Sequence, residues 1–100
     1  MKRGGCVYMM CSINNNAIYT GVTADLFVRV QDHKNKKDPH SFTARYNCIK
    51  LVYYINFSTI TEAILEEKRI KGGSRKQKES LINSINPDWI DLWETDVKNW

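Results

Sequence analysis

The sequence predicts a single α/β (α+β) domain with three strands and several helices. Three observations predict it: an apolar hairpin over residues 6–22, an apolar and aromatic run over residues 51–57, and capped helical segments after that run. The 100 residues fit one domain. Hydrophobic residues make up 42% of the chain, which is enough for one modest core.

The hairpin is predicted from two apolar segments, residues 6–13 and 17–22, separated by three asparagines. Asparagine tolerates the positive φ that tight turns need. A two-residue or four-residue loop centred on the first two asparagines puts Tyr8 opposite Gly21, with Tyr19 on the same sheet face as Tyr8. A three-residue loop would put the two tyrosines on opposite faces.

The other elements are predicted from helix caps and apolar runs. The first helix is capped by Thr23 or Asp25 and ends near Lys34. A helical turn over Phe42–Tyr46 follows, capped by Ser41. The run Leu51–Phe57 then forms a central strand that is buried on both sides. After this strand, a helix begins at Ser58 or Thr61 and is ended by Gly72–Gly73. Another helix runs from Ser74 to about Ile85. The last element is a turn over Asp88–Trp93, whose side chains pack back onto the domain at Trp89, Ile90, Leu92 and Trp93.

Glu67 is the most informative single position. Its helix has an aliphatic face formed by Ile60, Ala63, Ile64 and Ile70. Spacings of three and four residues place Glu67 on that face. An inward carboxylate costs free energy unless it is paired or holds a metal. Two interpretations stay open: a functional carboxylate, or one that forms a structural ion pair or reaches water at the edge of the face.

Arg29 and His33 are four residues apart on one helix face. A guanidinium and an imidazole that point the same way suit a phosphate group, although a solvated helix flank has the same spacing. Tyr8 and Tyr19 are ordinary core aromatics unless other polar groups converge on them. A tyrosine hydroxyl near a cation can act as a base, although its ordinary pKa is near 10.

A basic run spans residues 68–78 and contains six positive charges and no negative one: Lys68, Arg69, Lys71, Arg75, Lys76 and Lys78. Such a local excess predicts a surface for a phosphate backbone, with a solvated face as the alternative. The net charge of +4 favours a polyanionic partner without requiring one.

Composition argues against other classes. The three cysteines have no paired spacing, which argues against a disulfide framework or a zinc site and favours buried thiols. Lys2 and Arg3 precede a short apolar stretch without a signal-peptide cleavage site. No apolar run has the roughly 20 residues of a membrane span. We therefore expect a cytoplasmic protein without a membrane partner.

Five pieces of the sequence, in order, resemble the GIY-YIG nuclease superfamily, in particular its small standalone bacterial members. They are Val7-Tyr8, Tyr19-Thr20-Gly21, the segment from Asp25 to His33, the segment from Leu65 to Lys71, and the run Ser74-Arg75-Lys76-Gln77-Lys78. The resemblance covers roughly residues 5–93. It implies a three-stranded antiparallel sheet flanked by helices. The first motif departs from the family pattern, with Cys6-Val7 in place of Gly-Ile, and Asn83 is not at a clean spacing for the family's later asparagine.

The resemblance also implies roles for individual residues. Tyr8 is the expected general base or water-orienting group, with Tyr19 beside it. Arg29 is expected to stabilise the scissile phosphate, with His33 assisting. Glu67 is the expected ligand of one divalent ion, Mg²⁺ or Mn²⁺, since such ions prefer oxygen ligands. Gly21 is expected to allow close approach of the backbone to nucleic acid. The six cations of the basic run are expected to bind nucleic acid as well.

The expected function is metal-dependent hydrolysis of DNA phosphodiester bonds by an endonuclease of DNA repair or recombination, with RNA still open as a substrate. The main alternative is a nucleic-acid-binding module, or a subunit of a repair assembly, that does not cut. A third alternative is a protein-interaction domain, in which the basic run would be incidental. An inward Glu67 favours the enzyme, because a pure binder has no need of a carboxylate next to DNA phosphates.

Overall fold

One antiparallel sheet with helices on both faces organises the molecule in the computed structural model, which describes residues 4–100. Its elements are β1 (Gly5–Cys11), β2 (Ile18–Thr23), α1 (Leu26–Lys34), α2 (Phe42–Arg45), β3 (Lys50–Phe57), α3 (Ile60–Lys71), α4 (Arg75–Ile85) and a π-helical turn (Trp93–Val97). The strand order is β2-β1-β3. This architecture confirms the predicted fold class.

The central strand is β1, so the prediction that residues 51–57 form a central strand buried on both sides is wrong. All seven residues of β1 are buried, whereas β3 is an edge strand whose second half reaches solvent at Ile55 and Asn56. A bulge at Met9/Met10 shifts the pairing of β1 with β3. Both strands are nearly continuous apolar runs, and such a run indicates burial without revealing which strand lies in the middle.

The hairpin has the predicted register. Tyr8 pairs with Gly21 and Met10 pairs with Tyr19. The backbone of Ser12 donates to the carbonyl of Ala17, which closes a loop of four residues. Asn15 has a φ of 64°, the left-handed conformation that asparagine tolerates. An even loop therefore places both tyrosines on one face of the sheet.

Two apolar clusters cover the two faces. The first joins Tyr8 and Met10 to α1 and to the C-terminal segment. The second joins Val7 and Met9 to α3 and α4. The cysteines Cys6, Cys11 and Cys48 are all buried free thiols, as expected. No helix within residues 4–100 is long and apolar enough to cross a membrane.

Helix caps follow the predicted chemistry with one shift. Asp25, Ser41 and Ser74 accept hydrogen bonds from the first turns of α1, α2 and α4. The cap of α3 is Thr59, which lies between the two predicted residues and accepts from the amide of Glu62. Caps depend on one backbone geometry, so neighbouring serines and threonines are hard to rank from sequence.

The C-terminal segment is held by partly buried polar contacts. Asp91 accepts from the amides of Leu51 and Trp93, and its other oxygen lies 2.5 Å from Nζ of Lys34. Leu92 packs into the first cluster as predicted, and Trp93 lies against it. The prediction that Ile90 packs inward is wrong, since its side chain is 46% exposed and the chain is fixed here by its polar atoms.

Candidate active site

Tyr8, Tyr19 and His33 meet above the first sheet face, where β1, β2 and α1 bring them together. Ring centroids are 6.2 Å apart for the two tyrosines, 5.6 Å for Tyr8 and His33, and 5.4 Å for Tyr19 and His33. The Tyr8 hydroxyl lies 2.7 Å from Nε2 of His33. Tyr8 is 1% exposed and His33 is 5% exposed. The sequence prediction that Tyr8 and Tyr19 share one face of the sheet is confirmed.

Arg29 lies at the open side of this cluster, one helical turn before His33. Its positive charge acts on the Tyr8 hydroxyl and lowers the pKa of that group against the effect of burial. Its side chain is 46% exposed and lies 3.9 Å from the carboxylate of Asp32. Arg29 is therefore the cation of the cluster that a phosphate in solvent can reach.

The buried groups of the cluster are held in their neutral forms. Burial raises the pKa of Tyr8, and Tyr19 acts in the same direction, while Arg29 opposes both. Burial and Arg29 together lower the pKa of His33 to about 4, against a smaller opposing effect of Asp32. At neutral pH the cluster therefore holds a neutral phenol and a neutral imidazole under one cation.

Gly21 makes room for the tyrosines. A Cβ atom at this position would lie 2.5 Å from Oη of Tyr8 and 2.9 Å from a ring carbon of Tyr19. Such distances are shorter than any van der Waals contact. The packing of the two tyrosines therefore explains why this position is a glycine. The expected contact of Gly21 with nucleic acid stays a prediction.

Glu67 points inward, as its helical spacing predicts, and is 9% exposed. Its carboxylate lies 2.7 Å from Nζ of Lys71, one turn later on α3. The same ammonium group lies 5.8 Å from the ring centroid of Tyr19. Lys71 thus places the end of α3 beside Tyr19. The aliphatic face around Glu67 is only partly buried, because Ile60 and Ile64 are 40% and 37% exposed.

A divalent ion at this position would have the Glu67 carboxylate as its protein ligand and would be held weakly. Within residues 4–100 no three His, Cys, Asp or Glu side chains gather in a group that could hold a metal. Mg²⁺ often binds through one or two carboxylates and takes its other ligands from water and substrate phosphates. Glu67 alone is consistent with that mode, provided that Lys71 moves away, and Lys71 is half exposed.

The basic run does not form one uniform surface, because four of its six cations contact protein groups. Arg69 pairs with Glu66 and Lys71 pairs with Glu67. Arg75 pairs with Glu79 and donates to the carbonyls of Asn15 and Asn16, and Lys78 donates to the carbonyl of Gly73. Lys68 and Lys76 are exposed. Lys71 and Lys78 also border a cavity of about 180 Å³ next to Tyr19.

Two polar residues, one beside the cluster and one on α4, have partners that the sequence analysis missed. Thr43 of α2 is 2% exposed, and its Oγ1 lies 2.8 Å from Nδ1 of His33. Asn83 accepts a hydrogen bond of 2.6 Å from the indole of Trp89, which ties α4 to the C-terminal segment. A threonine in a short predicted turn carries no sequence signal of burial, so the contact with His33 depends on the tertiary fold.

The sequence of this chain matches a known family of proteins. A model of the GIY-YIG catalytic domain matches residues 4–80, and these include the tyrosines, Arg29, His33 and Glu67. The chain belongs to the GIY-YIG family. Members of this family are generally endonucleases.

Small GIY-YIG-type proteins are similar to this chain over most of their length. A UPF0213 protein of Staphylococcus epidermidis is 35% identical over 69 residues, which are 69% of this chain and 83% of the relative. A UPF0213 protein of Halobacterium salinarum is 38% identical over 77 residues, 76% of this chain and 96% of the relative. The solution NMR structure of a UPF0213 protein from Bacillus halodurans has a TM-score of 0.57, with 24% identity over 94% of this chain and 98% of that one, which supports the fold.

Acid is expected to destabilise the fold through His33. An unfolded histidine titrates near pH 6.5, whereas burial and Arg29 lower the pKa of His33 to about 4, so the unfolded state binds more protons between these values. The contribution of His33 to stability is therefore complete above about pH 6.5 and falls by about 3 kcal/mol as the pH decreases toward 4. Urea titrations across this range measure the fall.

Two variants isolate the contribution of His33. His33→Gln cannot bind the proton, so its stability should change less between pH 7 and pH 4 than that of the parent. His40→Gln removes the exposed histidine and should keep the parental slope. If the free energy of unfolding falls with pH equally in His33→Gln and in the parent, the buried imidazole does not control the loss of stability in acid.

Proposed function

We propose that this chain is a metal-dependent endonuclease that hydrolyses DNA phosphodiester bonds at the cluster of Tyr8, Tyr19, His33 and Arg29. The observation that carries the proposal is the 2.7 Å hydrogen bond between the Tyr8 hydroxyl and Nε2 of His33, buried beneath an accessible guanidinium. A proton acceptor next to an anion-binding group suits attack on a phosphate. The family match supports the reaction class.

Arg29 and Tyr19 are the members of the cluster that meet the scissile phosphate in this proposal. Both are more exposed than Tyr8. The guanidinium of Arg29 donates hydrogen bonds to phosphate oxygens and stabilises the charge that develops on them. Tyr8 contributes its hydroxyl from beneath these two side chains.

Tyr8 and His33 together accept the proton of the attacking water. The oxygen of the Tyr8 hydroxyl accepts that proton while its own proton passes to Nε2 of His33. The water oxygen forms the new bond to phosphorus, the bond to the leaving oxygen breaks, and the leaving oxygen takes a proton from solvent. The phosphate offsets the positive charge of Arg29, which removes one cause of the low pKa of His33 and makes the imidazole a better acceptor.

Glu67 is the proposed ligand for the divalent ion, Mg²⁺ or Mn²⁺. When bound, the ion supplies positive charge to the phosphoryl group and the leaving oxygen. In the described structure the ammonium group of Lys71 is the cation that pairs with this carboxylate. Binding of the ion would release Lys71, whose half-exposed side chain can then turn toward the phosphate backbone.

A nucleic-acid-binding module that does not cut is the second candidate. The observation that favours it is the same ion pair, because Glu67 already has a cationic partner at 2.7 Å and so does not require a metal. Cleavage assays separate the two candidates. Plasmid DNA, branched DNA and RNA should be incubated with Mg²⁺, Mn²⁺ or chelator. The nuclease proposal expects DNA cleavage with metal only, and binding of all three substrates without cleavage would leave the binding module.

The exposed side of the basic run is expected to contact phosphates. Replacing Lys68 and Lys76 with Gln leaves intact the protein contacts of the other four cations of the run. The slope of log K against log salt should fall by roughly 0.9 for each phosphate of duplex DNA that the variant no longer neutralises. Titrations at several salt concentrations measure this slope. Lys98→Gln, distant in sequence and paired with Glu94, is the control and should keep the parental slope.

A slope that stays the same in the Lys68→Gln, Lys76→Gln double variant would contradict the phosphate contact. These two lysines would then belong to a solvated face, and binding would depend on other cations. Equal decreases of the slope in the double variant and in Lys98→Gln would indicate an effect of net charge without a defined contact.

A further inference from the structure

A chain of hydrogen bonds continues from His33 away from Tyr8 and into α2. Nδ1 of His33 lies 2.8 Å from Oγ1 of Thr43, and this oxygen lies 3.2 Å from Oγ of Ser41. The Ser41 hydroxyl donates to the carbonyl of Asp38 at 2.8 Å. A cavity of about 340 Å³ lies along this chain and is lined by its three side chains together with Arg29, Asp32, Lys37 and Asp38.

When every contact of this chain is a hydrogen bond, counting protons gives one direction for each bond. A hydroxyl has one proton to donate. Ser41 uses its proton on the carbonyl of Asp38, so its oxygen must accept the proton of Thr43. Thr43 has then used its only proton, so its oxygen must accept from Nδ1 of His33.

The tautomer of His33 follows from this count. A neutral imidazole with its proton on Nδ1 has a lone pair on Nε2. The Tyr8 hydroxyl therefore donates to Nε2 across the 2.7 Å contact. Its oxygen keeps its lone pairs for other partners. The charged and titratable groups around the imidazole are Arg29 and Asp32 on its own helix and Tyr8 and Tyr19 on the strands.

We propose that Thr43 is a positioning residue that, together with Ser41, holds His33 in the Nδ1-protonated tautomer, so that Nε2 accepts the proton of Tyr8. The catalytic consequence rests on the proposed nuclease function, whereas the tautomer itself is a property of the free protein. The opposite tautomer would donate from Nε2 to Tyr8 and could not accept the tyrosine proton. In histidine-based sites, a partner on the far ring nitrogen commonly selects the tautomer in this way.

Nitrogen-15 NMR of the histidine rings tests the tautomer without DNA. In the parent protein at pH 7, Nδ1 of His33 should have the shift of a protonated ring nitrogen and Nε2 that of an unprotonated one. His40 is exposed and provides an internal reference for a histidine in solvent. A parent spectrum with the proton of His33 on Nε2 would overturn the proposal, whatever the protein does to DNA.

A matched pair of variants tests the role of the Thr43 hydroxyl. Thr43→Val keeps the shape but removes the acceptor for Nδ1, and the His33 proton should move to Nε2, where it donates to Tyr8. Thr43→Ser keeps the hydroxyl and should keep the parental tautomer. If Thr43→Val does not fold, Ser41→Ala, which interrupts the chain one step later, provides the second measurement and should show a mixture of tautomers. An unchanged tautomer in the folded valine variant would overturn the role of Thr43.

Cleavage rates separate this proposal from the nuclease proposal. With Mg²⁺ and saturating DNA, Thr43→Val should lower kcat by about 10- to 100-fold with little change in KM, and Thr43→Ser should restore it, because loss of a supporting partner typically costs this much. Parental kcat in Thr43→Val would contradict the positioning role. If the parent has the Nδ1 proton but does not cleave, the nuclease proposal fails and the tautomer assignment is confirmed.

Discussion

Replacing Tyr8 with Phe is expected to lower the rate of DNA cleavage by about 10²- to 10⁴-fold, the usual contribution of a positioned proton-transfer group. The change removes one oxygen from a residue that is 1% exposed. It deprives His33 of the group that contacts its Nε2 and deprives the attacking water of its acceptor. Single-turnover assays with excess protein report the chemical step separately from product release.

Tyr54→Phe is the matched control for this prediction. Tyr54 is opposite Tyr8 in the sheet and packs against the same apolar cluster, but its hydroxyl donates to Asp96. Its variant should cleave at the parental rate. Tyr8→Phe should remain folded, with a loss of about 1–3 kcal/mol for the hydrogen bond and the unpaired imidazole nitrogen. Equal rates for the two variants would remove Tyr8 from the proposed mechanism.

Glu67→Gln is expected to abolish metal-dependent cleavage, with a loss on the order of 10³-fold, because a metal at a phosphoryl group contributes several kcal/mol. The fold should be retained, since Lys71 is half exposed and can be solvated when its partner is gone, and pairs of this kind contribute about 0.3–0.5 kcal/mol. DNA affinity in chelator should hold or rise, because a negative charge near the phosphates is gone. Cleavage assays, thermal melts and binding titrations measure the three quantities.

Glu66→Gln is the control for Glu67. Glu66 is the adjacent residue and forms an ion pair of its own, with Arg69 at 2.6 Å, but it is not buried in the face that α3 turns to the sheet. Its variant should keep parental cleavage. A Glu67→Gln protein that melts at a clearly lower temperature yet cleaves fully would show that Glu67 is a structural partner of Lys71 and has no metal role.

The parts of the site that repeat with a fixed period could be predicted from the sequence. Strand alternation and an even loop put Tyr8 and Tyr19 on one face, and the helical period put Arg29 near His33 and turned Glu67 inward. Each of these inferences requires only local geometry. The structure confirms all three placements.

The parts that depend on packing between distant elements could not be predicted. Thr43 reaches His33 only because α2 folds back over α1. The run 68–78 is uniformly basic in sequence because its acidic and carbonyl partners, such as Glu66, Glu79 and the loop of the hairpin, lie outside it. The position of β3 at the edge also depends on long-range pairing, which an apolar run does not encode.

The central claim is that the cluster of Tyr8, His33 and Arg29, together with Glu67, cleaves DNA. The most direct test is a plasmid-nicking time course with the parent, Tyr8→Phe and Glu67→Gln, purified in parallel at equal concentrations, with Mg²⁺ or with chelator. We expect the parent with Mg²⁺ to convert supercoiled plasmid to nicked and linear forms, while both variants and the chelator samples leave it supercoiled. Equal nicking by all three proteins, or none by the parent with Mg²⁺ or Mn²⁺, would contradict the claim.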